Sequence, residues 1–316
     1  IRGWLDALAA DSDARSVVVR KTLDGTIRSF GHRTRLLAAA LVTQEQITAQ
    51  LRGDAMTAYA DQLAAVDAAT QDGTLLRGEV LTRWQEFVGT GELTRSLEDR
   101  VGRLRDRVLS VARGKPQPAQ KLTVAVESGL ETLIIEHAES AAERAALAWQ
   151  SLPAGQRLLE TAAGDIDRAS RDLRAKTERA IRDWQTAVLD MVRTEGSDRR
   201  ASARFLAYGV NGLGVALMIT VFTSTAGLTG AEIGILGGTA AVGQKILEAV
   251  FGDQAVRRLA EKARQDLHRR VELLWMQELQ RFLDVLDTAA VAPDGADLVR
   301  ALSRQVDDMR WAGTQA

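Results

Sequence analysis

LETAAGDIDRASRDLRAKTERAIRDWQTAVLDM, residues Leu159–Met191, is the stretch on which the fold turns. Its apolar positions run Ala162, Ile166, Ala169, Leu173, Thr177, Ile181, Trp184, Val188 and Met191. Steps of three and four sustained over this length describe a coiled-coil-like seam, and a seam needs a partner. After Gly252 a similar stripe runs Val256, Leu259, Ala263, Leu267, Val271, Leu274, Glu278, Phe282 and Val285, interrupted only by Glu278. The two stripes predict an antiparallel pair, each helix on the order of 50 Å long at ~1.5 Å per residue.

The rest of the chain agrees with an all-α reading. Of 316 residues 46% are hydrophobic and 26% charged, with four prolines, a single asparagine (Asn211) and six lysines among 41 basic residues. Such an arginine-rich, breaker-poor composition favours long helices. No run of alternating β-branched residues bounded by turn signals recurs. Turn signals at Asp24-Gly25, Asp72-Gly73, Gly89 to Gly91, Lys115 to Pro118, Pro153, Gly196-Ser197, Gly252-Asp253 and Pro293 divide the chain. They predict helices over 3–23, 26–52, 54–71, 74–88, 92–113, 119–150, 155–195, 199–226, 230–290 and 295–311. The expected architecture is an elongated helical bundle: an N-terminal neck-like part over 1–118, a stalk built from 119–198 with 253–316, and an apolar hairpin over 199–252. The chain opens on Ile1 rather than Met and reads as a fragment of something longer.

Composition also removes several classes of function. A net charge of -1 gives no polybasic footprint for nucleic acid. Without cysteine there is no disulfide framework, thiolate zinc site or cysteine nucleophile, and the histidines at 32, 137 and 268 are far apart in sequence. Gly238 to Lys245 reads GTAAVGQK, which misplaces the lysine of a phosphate loop and lacks the Ser/Thr after it. With Asn211 the only asparagine, no guanine-reading N-K-x-D exists. His137, beside Glu136 and Glu139, reads as a solvated or partner-bound residue on a helix face. The run Arg100 to Lys115, interleaved with Val101, Leu104, Val108 and Val111, reads as an amphipathic bundle helix with a basic outer face. No catalytic, cofactor or metal residue is assigned.

The informative segment lies between the two stripes. Phe205 to Ala231 is 27 residues without Asp, Glu, Lys, Arg or His, longer than the ~20 needed to cross bilayer hydrocarbon. After Glu232, a shorter uncharged stretch runs from Ile233 to Gln244. The turn TAGLTGAE between them suits the tip of a helical hairpin, and Gly230, Gly234 and Gly238 share one helix face that admits close packing. Phe205, Leu217, Val221, Phe222, Leu228, Ile233, Ile235 and Leu236 are the expected membrane-inserting residues. Arg199, Arg200 and Arg204 before the hairpin, with Arg257 and Arg258 after it, would meet head groups on the cytoplasmic side. A buried hairpin in a helical scaffold or adaptor, and a two-span subunit of a transport complex, are the alternative readings.

LRGEVLTRWQEFVGTGEL (Leu76 to Leu93) and the stretch from Tyr208 to Arg264 resemble the region downstream of the GTPase domain in actinobacterial dynamin-like proteins. That resemblance implies an upstream domain carrying GTP and magnesium, a neck and trunk of helices, and an apolar paddle docking on membrane lipid. It also implies a homo-oligomer or paired paralogue, with nucleotide-driven dimerisation transmitted to remodel or tether the bilayer at the cytoplasmic side of the cell membrane. No nucleotide motif of the family matches this stretch. Residues 1–316 are therefore expected neither to bind nor to hydrolyse GTP, and micromolar binding in titration calorimetry would contradict that reading.

Overall fold

The computed structural model describes residues 9–76, 78–89, 118–195, 252–290 and 292–315, with single positions 3 and 219. Among the described residues the chain is all-helical: α1 Ser12–Ala69, α2 Glu79–Gly89, α3 Pro118–Gln150, α4 Pro153–Thr161, α5 Leu173–Glu195, α6 Asp253–Ala289 and α7 Gly295–Gln315. A short 3-10 turn, Thr74–Leu76, precedes α2. No strand occurs among these residues. The apolar hairpin, at 199–252, lies outside them but for Ile219 and Gly252.

Several helix boundaries differ from expectation; the helix expected over 74–88, for one, opens as the 3-10 turn and is α-helical only from Glu79. The helices expected over 3–23, 26–52 and 54–71 are merged into α1 from Ser12 onward. Gly25, Gly31 and Gly53 have open space around the Cβ they lack and keep ordinary helical φ. Each costs ~1 kcal/mol of helix propensity but does not turn the chain. Positive φ is found instead at glycines outside the helices: Gly73 at 81° between α1 and the 3-10 turn, and Gly252 at 84° just before α6, which breaks the helix expected over 230–290. The helix expected over 155–195 is instead two, α4 and α5, separated by residues 162–172 with Gly164 at φ 102°. Ala162, Ile166 and Ala169 are thus in a loop, and the helical seam begins at Leu173.

The chain divides into two compact units, Ile1–Gly53 with Leu283–Ala316, and Asp54–Phe282. In the first, α1 and α7 run antiparallel. Thr34 Oγ1 donates to Ser303 Oγ at 3.0 Å, and Asp24 pairs with Arg310 at 3.0 Å. Further along α1, Arg52 pairs with Asp287 at 2.7 Å. The inward face of α1 carries Asp24, Ile27, Gly31, Thr34 and Ala38, and that of α7 carries Ala296, Val299, Ser303, Val306 and Arg310. Both follow the three-four spacing of a two-helix seam.

In the second unit α3 is central. Leu122, Val126, Leu130, Ile134, Ala138, Ala141, Ala142, Ala145 and Trp149 are all buried. The alanine run lets neighbouring helices approach closely. At Gly129 a Cβ would meet Leu75 Cδ1 at 3.1 Å and Val80 Cγ2 at 3.3 Å, so the 3-10 turn and α2 sit almost on the α3 backbone. The Phe282 ring of α6 packs edge-on against Tyr59 of α1 and Trp149 of α3, at centroid separations of 6.0 and 5.1 Å.

The α5 and α6 seams meet in this unit. Leu173, Thr177, Ile181, Trp184, Val188 and Val192 are buried on α5, and Val256, Leu259, Ala263, Leu267, Val271 and Leu274 on α6. The Trp184 indole N–H donates to the Ala263 carbonyl at 2.8 Å, while Ser170, just before α5, bonds Glu278. Rising position on one helix meets falling position on the other, so the pair is antiparallel. Ile181→Ala is expected to destabilise the protein by ~2–5 kcal/mol, read from urea melts, because it opens a cavity in this seam. A change near zero would place Ile181 outside it.

Candidate functional site

Antiparallel packing of α5 and α6 fixes where residues 196–252 leave and return. Glu195 ends α5 and Asp253 begins α6, and both lie at the same end of the pair, beyond Val188 and Val192 on one helix and Val256 and Leu259 on the other. A segment tethered there starts and finishes at one place. Arg257 and Arg258, the head-group candidates after the hairpin, are exposed on the first turns of α6. Arg199, Arg200 and Arg204, and the eight residues expected to insert, lie outside the described residues. Among the described residues no helix is long and apolar enough to cross a membrane.

At the other end of the pair is a polar cluster built around Glu278, the interruption in the α6 stripe. Glu278 is only 1% exposed. Its Oε2 accepts the Ser170 backbone N–H at 2.8 Å and Arg281 Nη1 at 2.9 Å, and its Oε1 accepts the Ser170 hydroxyl. Arg281 also donates to the Arg168 and Asp165 carbonyls, each at 2.7 Å. From α3, Glu139 Oε2 accepts the Ala169 N–H at 3.1 Å. Four backbone groups of 165–170, a stretch that forms no helix, are thus met by side chains of α6 and α3. The Tyr59 hydroxyl lies buried nearby with no hydrogen-bond partner among the described residues. Burial first, and the Glu278 charge second, push its phenol above the ordinary range.

Both carboxylate oxygens of Glu278 are engaged by these bonds, which tie the loop before α5 to α6. The stripe pattern signals Glu278 as an anomaly, but besides Arg281 on its own helix its partner is Ser170, in a stretch that the same pattern reads as helix.

The histidines take up separate places. His137 on α3 meets Gln62 Oε1 of α1 at 2.7 Å, and partial burial holds its imidazole below the usual range. His268 on α6 meets Asp67 of α1 at 2.9 Å. Asp67 and His268, with Val66, Thr70, Arg264 and Leu267, line a cavity of about 10 Å³, room for one water rather than a substrate. Among the described residues no group of three or more His, Asp or Glu is placed to hold a metal ion. No family model, curated protein or solved structure matches this chain.

Removing the central carboxylate tests the cluster. Glu278→Ala is expected to cost ~3–5 kcal/mol in urea melts, since it strands Arg281 and the Ser170 N–H together. Glu278→Gln, which keeps an acceptor for Ser170, should cost clearly less. Equal losses in the two variants would mean that the hydrogen bonds contribute little.

Proposed function

We propose that residues 1–316 are the helical stalk and membrane-binding part of a bacterial dynamin-like GTPase. In this reading an upstream domain dimerises on GTP, and the helices carry that event to a membrane, which is remodelled or tethered. The observation that carries the proposal is the pairing of an uncharged run of 27 residues with its mounting: the chain before it and the chain after it are the two strands of one antiparallel helix pair. A soluble connection of that length has no need to be free of charge, whereas a lipid-facing one does. Exposed Arg257 and Arg258 beside the return point fit anionic head groups. The sequence resemblance of Leu76 to Leu93 and Tyr208 to Arg264 supports the same reading.

Liposome co-sedimentation tests it. Wild-type protein should sediment with anionic vesicles, and Leu228→Asp combined with Ile235→Asp should abolish this, because each charge costs ~2.5–3.5 kcal/mol near mid-bilayer. Helicity should be retained, since neither change touches the α5 and α6 seam. Collapse of circular dichroism in the double variant without lipid would favour a buried hairpin in a scaffold instead. Wild-type protein that never sediments would end the membrane reading.

A further inference from the structure

The first unit, taken alone, leaves one side of its helix pair uncovered. Asp24, Gly31 and Ala38 of α1 and Ala296, Ser303 and Arg310 of α7 hold equivalent positions in the two inward-facing heptads. In an antiparallel pair, the residues that precede such positions on both helices flank the same side of the seam. On α1 these are Leu23, Phe30 and Leu37, and on α7 they include Leu302 and Met309, with Leu298 one turn from Leu302. All six are large and apolar, yet they are 57%, 40%, 51%, 49%, 60% and 60% exposed.

The opposite side of the same pair reads differently. It carries Lys21, Arg28 and Arg35 on α1 and Asp297, Arg300, Arg304 and Asp307 on α7. Asp297 and Arg300 pair with each other there at 2.8 Å. On the apolar side, the register positions between Leu23 and Ala40 and between Leu298 and Met309 include one charge, Arg33. A helix pair destined for water on both sides has no reason to sort its charges this way.

From this asymmetry we infer that the apolar side of the α1 and α7 pair is a self-association surface, on which the same face of a second copy of this chain docks to complete a four-helix bundle. Area favours that occupant. At their observed exposure the six side chains offer on the order of 500 Å² together, given ~150–200 Å² for a whole large apolar residue. A stable homodimer needs ~800 Å² per partner, about 65% of it apolar, which is the same quantity. Charge allows it too. Two-fold apposition brings together faces whose only like charges are the two copies of Arg33, while the charged sides point away from each other. The inference rests on this unit and not on the membrane reading.

Self-association of residues 1–316 in mild detergent, followed by sedimentation velocity from low micromolar concentration upward, tests it. Wild-type protein should be dimeric, and Leu23→Glu with Leu302→Glu should weaken association by at least ~100-fold while leaving helicity intact, as both side chains are exposed. Arg28→Glu with Arg300→Glu, on the opposite side, should leave the dimer unchanged. Because the chain has no cysteine, Phe30→Cys and Leu302→Cys, against Lys21→Cys and Arg300→Cys, report the face directly with a short thiol cross-linker. Cross-linked dimers should form only from the first two. A wild-type monomer at every concentration, a dimer that survives the Leu23 and Leu302 changes, or cross-linking that does not distinguish the two sides would each overturn the inference.

Discussion

A buried carboxylate sets the register on which the second unit depends. Glu278 occupies a position where the α6 stripe calls for an apolar side chain, and burying a lone charge there would be prohibitive. It is tolerated because Arg281 and two donors of Ser170 surround it. In return, Ser170 is held at one level of α6, so α5, which begins three residues later, can meet α6 in only one register. The Trp184 indole on the Ala263 carbonyl fourteen residues on from Ser170 agrees with that register. Directional bonds thus do what an apolar seam alone does poorly, since apolar contacts accept neighbouring registers at similar energy.

Much of the helical fold is readable from spacing. The inward stripes from Leu173 to Val188 and from Val256 to Leu274 coincide with buried positions, because three-four periodicity in a charged background has one economical solution. Helix α3 begins and ends within a residue of expectation, marked by Pro118 and Pro153. The differences arise where local signals compete with tertiary ones. Gly25 and Gly53 look like breaks, but neighbouring helix formers outweigh an isolated glycine whose φ is not forced positive. Residues 162–172 look helical, but Glu139, Glu278 and Arg281 offer their backbone better partners than a helix would.

The candidate site divides in the same way. Freedom from charge over Phe205 to Ala231 is a property of sequence and can be seen there directly. Its mounting on one end of an antiparallel pair is legible from the two flanking stripes as well, but the register of that pair is not. Glu278 is visible only as an irregularity, because Ser170, which takes up both of its carboxylate oxygens, lies 108 positions away. The apolar side of α1 and α7 was hidden for another reason: Leu23, Phe30 and Leu37 precede the inward-facing residues by one, so in sequence they merge with the core stripe and separate from it only when exposure is known.

The two ends of the α5 and α6 pair are held by different kinds of force, and this makes the pair mechanically asymmetric. At the Glu278 end, hydrogen bonds of fixed length join α6 to the chain entering α5, and any axial displacement stretches them at once. At the end from which residues 196–252 depart, Val188, Val192, Val256 and Leu259 are held by contact area, which changes little over a small sliding step. A pull or twist delivered through those residues would be absorbed first by slippage among the valines. The Glu278 cluster and the Trp184–Ala263 bond would hold the rest of the pair, so that it opens first at its tethered end, beyond Trp184.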